Sequence, residues 1–236
     1  MFIAWERRAP APMLPLELFR SRPFSAGNAA IFFTFAALFG AVFFAAQLMQ
    51  TGLGYDPLGA GLRLLPWTGT FMTIAPIAGA MSDRIGERPL MVSGLVLQAG
   101  GMAWLALVAE PGVAYTSLLG PLIVAGVGVS LAIPSAQNSV LASSAMDAIG
   151  KAAGVNSMMR ELGGVLGIAV AVAVFAGAGS YLSRAAFFDG FSTAFGVIAG
   201  LSAMGAIASM ALPSRRSTIA LDVVRPIPAF ETDGGA

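Results

Sequence analysis

Apolar residues fall into six long blocks separated by short polar interruptions. The blocks run from about 26 to 50, 64 to 81, 90 to 109, 117 to 141, 155 to 177 and 190 to 212. A helix needs about 20 residues to cross the hydrocarbon core of a bilayer. Each block therefore predicts one transmembrane helix, and the chain reads as an all-α membrane protein with six transmembrane helices. The interruptions at 52–59, 82–89 and 110–116 are turn-length. Consecutive spans must then run antiparallel, and six crossings put both termini on one side. Residues 1–25 read as a juxtamembrane segment, and residues 213–236 as a disordered tail. Within the first, 5–24 is either an amphipathic piece on the membrane surface or a plain linker.

Composition fixes the surroundings. The chain is 57% hydrophobic and only 11% charged, with a mean hydropathy of +0.80, whereas a soluble domain is about a quarter charged. That charge cannot coat a water-facing surface, so membrane lipid is the expected environment. The net charge is +1, and no basic run offers an electrostatic footprint for nucleic acid. The first eight residues lack the basic start, apolar stretch and cleavage site of a signal peptide.

Charge then sets orientation. Arg7, Arg8, Arg20, Arg22, Arg84, Arg88, Lys151, Arg160, Arg215, Arg216 and Arg225 fall on the terminal side, against Arg63 and Arg184 opposite. Eleven against two places both termini in the cytoplasm of a cell (inner) membrane by the positive-inside rule.

Candidate chemistry is narrow. Cysteine and histidine are absent, which removes disulfides, thiolate zinc sites, His-ligated haem and every His- or Cys-based catalytic scheme. Asp83 and Asp147 lie in the expected loops, so no buried aspartate pair suits an intramembrane protease. No enzyme, cofactor or metal is expected, and no selectivity-filter sequence supports a channel. Arg160 and Glu161 in the fifth span are either part of a gate or substrate route, or a snorkelling cation with its local partner. Gln47, Gln98, Gln137 and Asn138 are amides that must face other helices or a cavity. Arg63 and Trp67 stand at the outer edge and start of the second span. Gly163, Gly164 and Gly167 form a smooth face in span five, and Gly196 and Gly200 repeat small-xxx-small spacing in span six. Pro66, Pro76 and Pro134 are candidate bends.

The loop after span two reads Gly79-Ala-Met-Ser-Asp83-Arg84-Ile-Gly86-Glu-Arg88. Gly79 suits close packing, Gly86 a tight turn, and Asp83 can cap the next helix. This loop resembles the Gly-x-x-x-Asp-Arg-x-Gly-x-Arg loop of the major facilitator superfamily. Tyr55-Asp-Pro-Leu-Gly-Ala-Gly-Leu-Arg-Leu-Leu-Pro66-Trp67 and Gly154-Val-Asn-Ser-Met-Met-Arg160-Glu-Leu-Gly-Gly164 are similar to stretches of fourteen-span drug–proton antiporters of the EmrB/QacA type, as is the opening Trp5-Glu-Arg-Arg-Ala. The resemblance implies a twelve-helix core of two six-helix halves that rock about a central site, exporting drug-like or amphipathic small molecules in exchange for protons. This chain would be the C-terminal half. Its partner would be the missing N-terminal half or a second copy, and the coupling carboxylate would lie in the missing half. Alone it would export nothing. The alternative is a stand-alone six-helix protein acting as an oligomeric transporter half or a structural bundle.

Overall fold

The computed structural model describes residues 16–142 and 149–212. A short 3-10 turn, Leu16–Arg20, leads into α1, Arg22–Gln47. Then come α2 (Pro57–Arg63), α3 (Leu65–Ile85), α4 (Glu87–Val108), α5 (Tyr115–Ala142), α6 (Ile149–Ala178) and α7 (Arg184–Met210). Among the described residues every regular element is helical. Five helices are long and apolar enough to cross a membrane, and α2 with α3, bent by 43°, makes a sixth crossing. The expected amphipathic piece at 5–24 lies mostly outside the described residues, and the expected tail almost wholly so.

The element ends have local causes. Pro23 sits in the first turn of α1, where its missing N–H has no helical partner to lose. At its other end α1 widens into a π-helical turn, Leu48–Gly52, with the Leu53 N–H donating to the Leu48 carbonyl at 2.9 Å. Pro57 opens α2 and Pro66 lies in the first turn of α3. The bend at Leu64 therefore falls where Pro66 interrupts the backbone ladder. Helix α3 continues through the charged residues after Ser82, and α4 starts at Glu87. The expected eight-residue link is thus mostly helix. Hydropathy marks where lipid ends, and helix does not have to end there. Only Gly86 breaks it, with φ 93° and ψ 159°, a conformation essentially restricted to glycine.

Glycine contacts fix the packing directions. On α4 and α5, Gly94 faces Gly128 and Ala132 while Gly101 faces Ala125, so numbers rise on one helix as they fall on the other. The same antiparallel order relates α1 to α7, through Gly40 against Ile198 and Gly205 against Phe33. Helices α1 and α6 run parallel, with Gly163 on Phe32 and Gly167 on Ala36. Helices α3 and α5 also run parallel, with Gly126 against Trp67 and Ser130 near the Thr70 carbonyl. These directions agree with alternating crossings.

The core lies along the contacts of α1, α4, α5 and α7. One cluster centres on Phe44, Phe187, Phe191 and Phe195, and a second on Phe24, Ile31, Met91 and Leu95. The outside is apolar too: Met72 is 77%, Leu107 84% and Ile207 66% exposed. Such a surface suits lipid.

Candidate functional site

The expected site residues fall at four places. The first is the α3–α4 junction. Gly79 lies within α3, and a Cβ there would meet nothing within 4 Å. The close packing expected of Gly79 is absent among the described residues, although its neighbour Ala78 is fully buried. Gly86 makes the turn alone, its N–H donating to the Ser82 carbonyl at 3.0 Å. Arg84 is exposed and Arg88 half-buried. Position 83 is in the last turn of α3; the Asp83 side chain lies outside the described residues. The first turn of α4 has its own acid, Glu87, only 8% exposed. By sequence alone Glu87 falls in the polar interruption at 82–89.

At the opposite end, Arg63 closes α2. Its guanidinium carbon lies 3.6 Å from the Tyr55 ring centroid and 5.6 Å from that of Tyr115. Nη1 donates to the Gly59 carbonyl at 3.2 Å, and the Tyr115 hydroxyl donates to the Arg63 carbonyl at 2.9 Å. The cation at this edge is thus held by ring faces and a carbonyl, and the same contacts tie the bent crossing to the start of α5. Trp67 is buried beside Gly126. Gln47 accepts from the Thr51 hydroxyl at 3.3 Å, next to the π turn of α1. Asp189, one residue before the apolar block that begins at 190, lies inside α7 and is exposed.

The third place is the interior. Gln98 is fully buried on α4, and neither of its amide atoms has a hydrogen-bond partner. Gln137 is exposed near the end of α5, and the Asn138 side chain lies outside the described residues.

The fourth is the flank of α6. Arg160 and Glu161 pair at 3.1 Å, with side chains 41% and 66% exposed. The Arg160 guanidinium also lies 5.8 Å from the Phe35 ring centroid. Neighbouring residues on a helix do not face each other, so this pair leaves much of each charged group open. The most apolar stretch of α6 is also the least covered, 28% buried against 44–56% for those of the other single-helix crossings. The structure therefore gathers Gln47, Arg63 and Trp67 toward one end, keeps Gln98 in the core, and sets Arg160 and Glu161 on an open flank. It does not bring them into one pocket.

No cluster of metal-binding side chains occurs among the described residues. Comparison with known proteins supplies the class. The family model of the Major Facilitator Superfamily matches residues 4–168 and, in a second match, 75–225. The tetracenomycin C resistance and export protein of Streptomyces glaucescens is 31% identical over 170 residues, covering 72% of this chain and 31% of that protein. The multidrug resistance protein Stp of Mycobacterium tuberculosis is 30% identical over 176 residues, covering 75% of this chain and 32% of Stp. The multidrug efflux pump LfrA of Mycolicibacterium smegmatis is 30% identical over 175 residues, covering 74% and 34%. The chain thus spans about a third of the length of these relatives. With its six apolar crossings and these matches, the chain belongs to the major facilitator superfamily, a family of membrane transporters and not of enzymes.

Proposed function

We propose that the chain is the C-terminal half of a proton-coupled secondary transporter that exports drug-like, amphipathic small molecules across the cell (inner) membrane. Both termini face the cytoplasm, as the distribution of Lys and Arg supports. A second six-helix half completes it: the missing N-terminal half or a second copy. The main proton-coupling carboxylate belongs to that other half, and the loop from Gly79 to Arg88 serves the change between inward- and outward-facing states. The relatives named as multidrug and antibiotic exporters support the substrate class.

One observation carries the reading. An ion pair 41% and 66% exposed lies within α6, at the edge of its most apolar stretch. Charge in contact with lipid is costly, and intramembrane ionisable groups face protein or a water-filled path. The open flank of α6 is therefore the surface that the second half covers. Arg160 and Glu161 line the route between the halves.

Two measurements test this. Expressed alone in a pump-deficient bacterium, the chain should give no ethidium efflux above background; efflux by the chain alone would overturn the half-transporter reading. The chain has no cysteine, so Glu161→Cys offers a single attachment point. A maleimide–benzophenone crosslinker attached there and irradiated in native membranes, where the ketone inserts into nearby C–H bonds, should then trap a partner on α6. An adduct of twice 24.0 kDa identifies a second copy, and a heavier heterologous adduct identifies a separate half. The absence of any adduct counts against a covered flank.

A further inference from the structure

Gln98 and Ser202 are both 0% exposed, and Gln98 Oε1, Gln98 Nε2 and Ser202 Oγ all lack a hydrogen-bond partner. They stand on facing helices at one level. Leu95 of α4 meets Gly205 of α7, and the Ser192 hydroxyl donates to the Ala106 carbonyl at 2.7 Å. Counting between these contacts along two antiparallel helices sets residue 98 opposite residue 202. Among the described residues one other buried helical hydroxyl, that of Ser82 near the end of α3, is also unpaired; the rest behave differently. Thr34, Ser130, Ser135 and Ser209 each donate to the carbonyl four residues earlier. Ser202 does not, so its own helix does not satisfy it.

Buried polar groups left unpaired are costly, and each calls for a cause. The neighbouring contacts indicate which helix can move to pair them. Helix α4 is locked to α5, because Gly94, Gly101 and Gly128 bring backbone against backbone with no room for a Cβ. Helix α7 is tight at its start, where Gly179 meets the backbone of Ala186 and Gly190, and is held more loosely further along. Gly196 and Gly200 have nothing within 4 Å of a would-be Cβ, and Gly205 meets the Leu95 and Phe33 side chains at 3.2 Å and the Ala30 carbonyl at 3.7 Å.

We propose that Gln98 and Ser202 form a polar latch between two arrangements of α7 against the α4–α5 pair. In the arrangement described here the latch is open. A small shift or rotation of α7 closes it, with the Ser202 hydroxyl donating to Gln98 Oε1 or accepting from Nε2. Interhelical hydrogen bonds in membranes are modest, and one bond of this kind moves such an equilibrium by about threefold to about twentyfold. That is enough to populate both arrangements without freezing either. The latch needs no substrate and no second half, so it stands or falls separately from the proposed function.

The chain's glutamines are Gln47, Gln50, Gln98 and Gln137. The full chain, labelled with side-chain 15N-glutamine and held in lipid nanodiscs, gives a spectrum in which Gln98 is assigned by its loss in Gln98→Leu. Gln98 should show two exchanging amide signals, and Ser202→Ala should leave one. Gln98→Leu should also raise Tm by roughly 2–8 °C, since it removes unpaired groups from the arrangement described. A single Gln98 signal that Ser202→Ala leaves unmoved overturns the latch, as does a fall in Tm for Gln98→Leu.

Discussion

At the scale of single residues, glycines that look alike in sequence do opposite work. Gly163 and Gly167 on α6 sit against the backbone of Phe32 and Ala36, and Gly164 against the Phe39 ring. The tight contact expected of this trio is present. Gly196 and Gly200 have the same spacing on α7, yet open space surrounds them. Spacing specifies a smooth stripe, but whether a neighbour lies on it depends on the rotation of the helix, which the sequence does not fix. Gly167→Ala should therefore cost about 1–3 kcal/mol, because the new Cβ runs into the Ala36 carbonyl and α1 must move away. Gly196→Ala should be neutral or more stable by up to about 1 kcal/mol, from helix propensity alone. Thermal unfolding of both variants in the same lipid or detergent checks the contrast, and equal losses would contradict it.

At the scale of elements, apolar blocks marked the crossings well, since burial in lipid is what hydropathy measures. They marked the joints less well. Pro57–Arg63 is a helix within what reads as a turn and the lead-in to span two, and α3 runs on through Arg84. Both stretches are polar or proline-flanked, so they resemble loops, but neither property forbids helix beyond the hydrocarbon. Among the expected site residues, Gln98 could be recognised as an amide needing a partner. That it lacks one could not, because this depends on how α7 is placed against α4. Glu87 and Asp189 were missed for one reason: each lies within a helix that extends past the apolar block. The α3–α4 joint depends on Gly86 alone. Gly86→Ala should cost about 1–3 kcal/mol, since φ 93° with ψ 159° strains any residue carrying a Cβ. A neighbouring Ile85→Ala change, at a side chain 50% exposed, should cost less. Comparing the two by denaturation separates backbone strain from loss of a side chain.

At the scale of the whole molecule, the alternation of helix directions decides which ends share a side, and charge decides which side that is. The packing puts α1, α4 and α6 in one direction and α3, α5 and α7 in the other. The α3–α4 joint then lies with the start of α1, and the turn between α6 and α7 lies at the far end. By sequence order eleven of the thirteen Lys and Arg residues fall on the first side, and the proposed orientation, with that side in the cytoplasm, follows from the positive-inside rule. Leu182, in the far turn, is 96% exposed, and Arg84 is exposed at the joint. Because the chain is cysteine-free, Leu182→Cys and Arg84→Cys each carry one reactive thiol. In intact cells a membrane-impermeant maleimide should label Leu182→Cys and spare Arg84→Cys, and permeabilising the inner membrane should make the second reactive as well. The reverse pattern would place the termini outside. Labelling of both in intact cells would mean that the chain inserts in two orientations, which a thirteen-residue charge count this lopsided argues against.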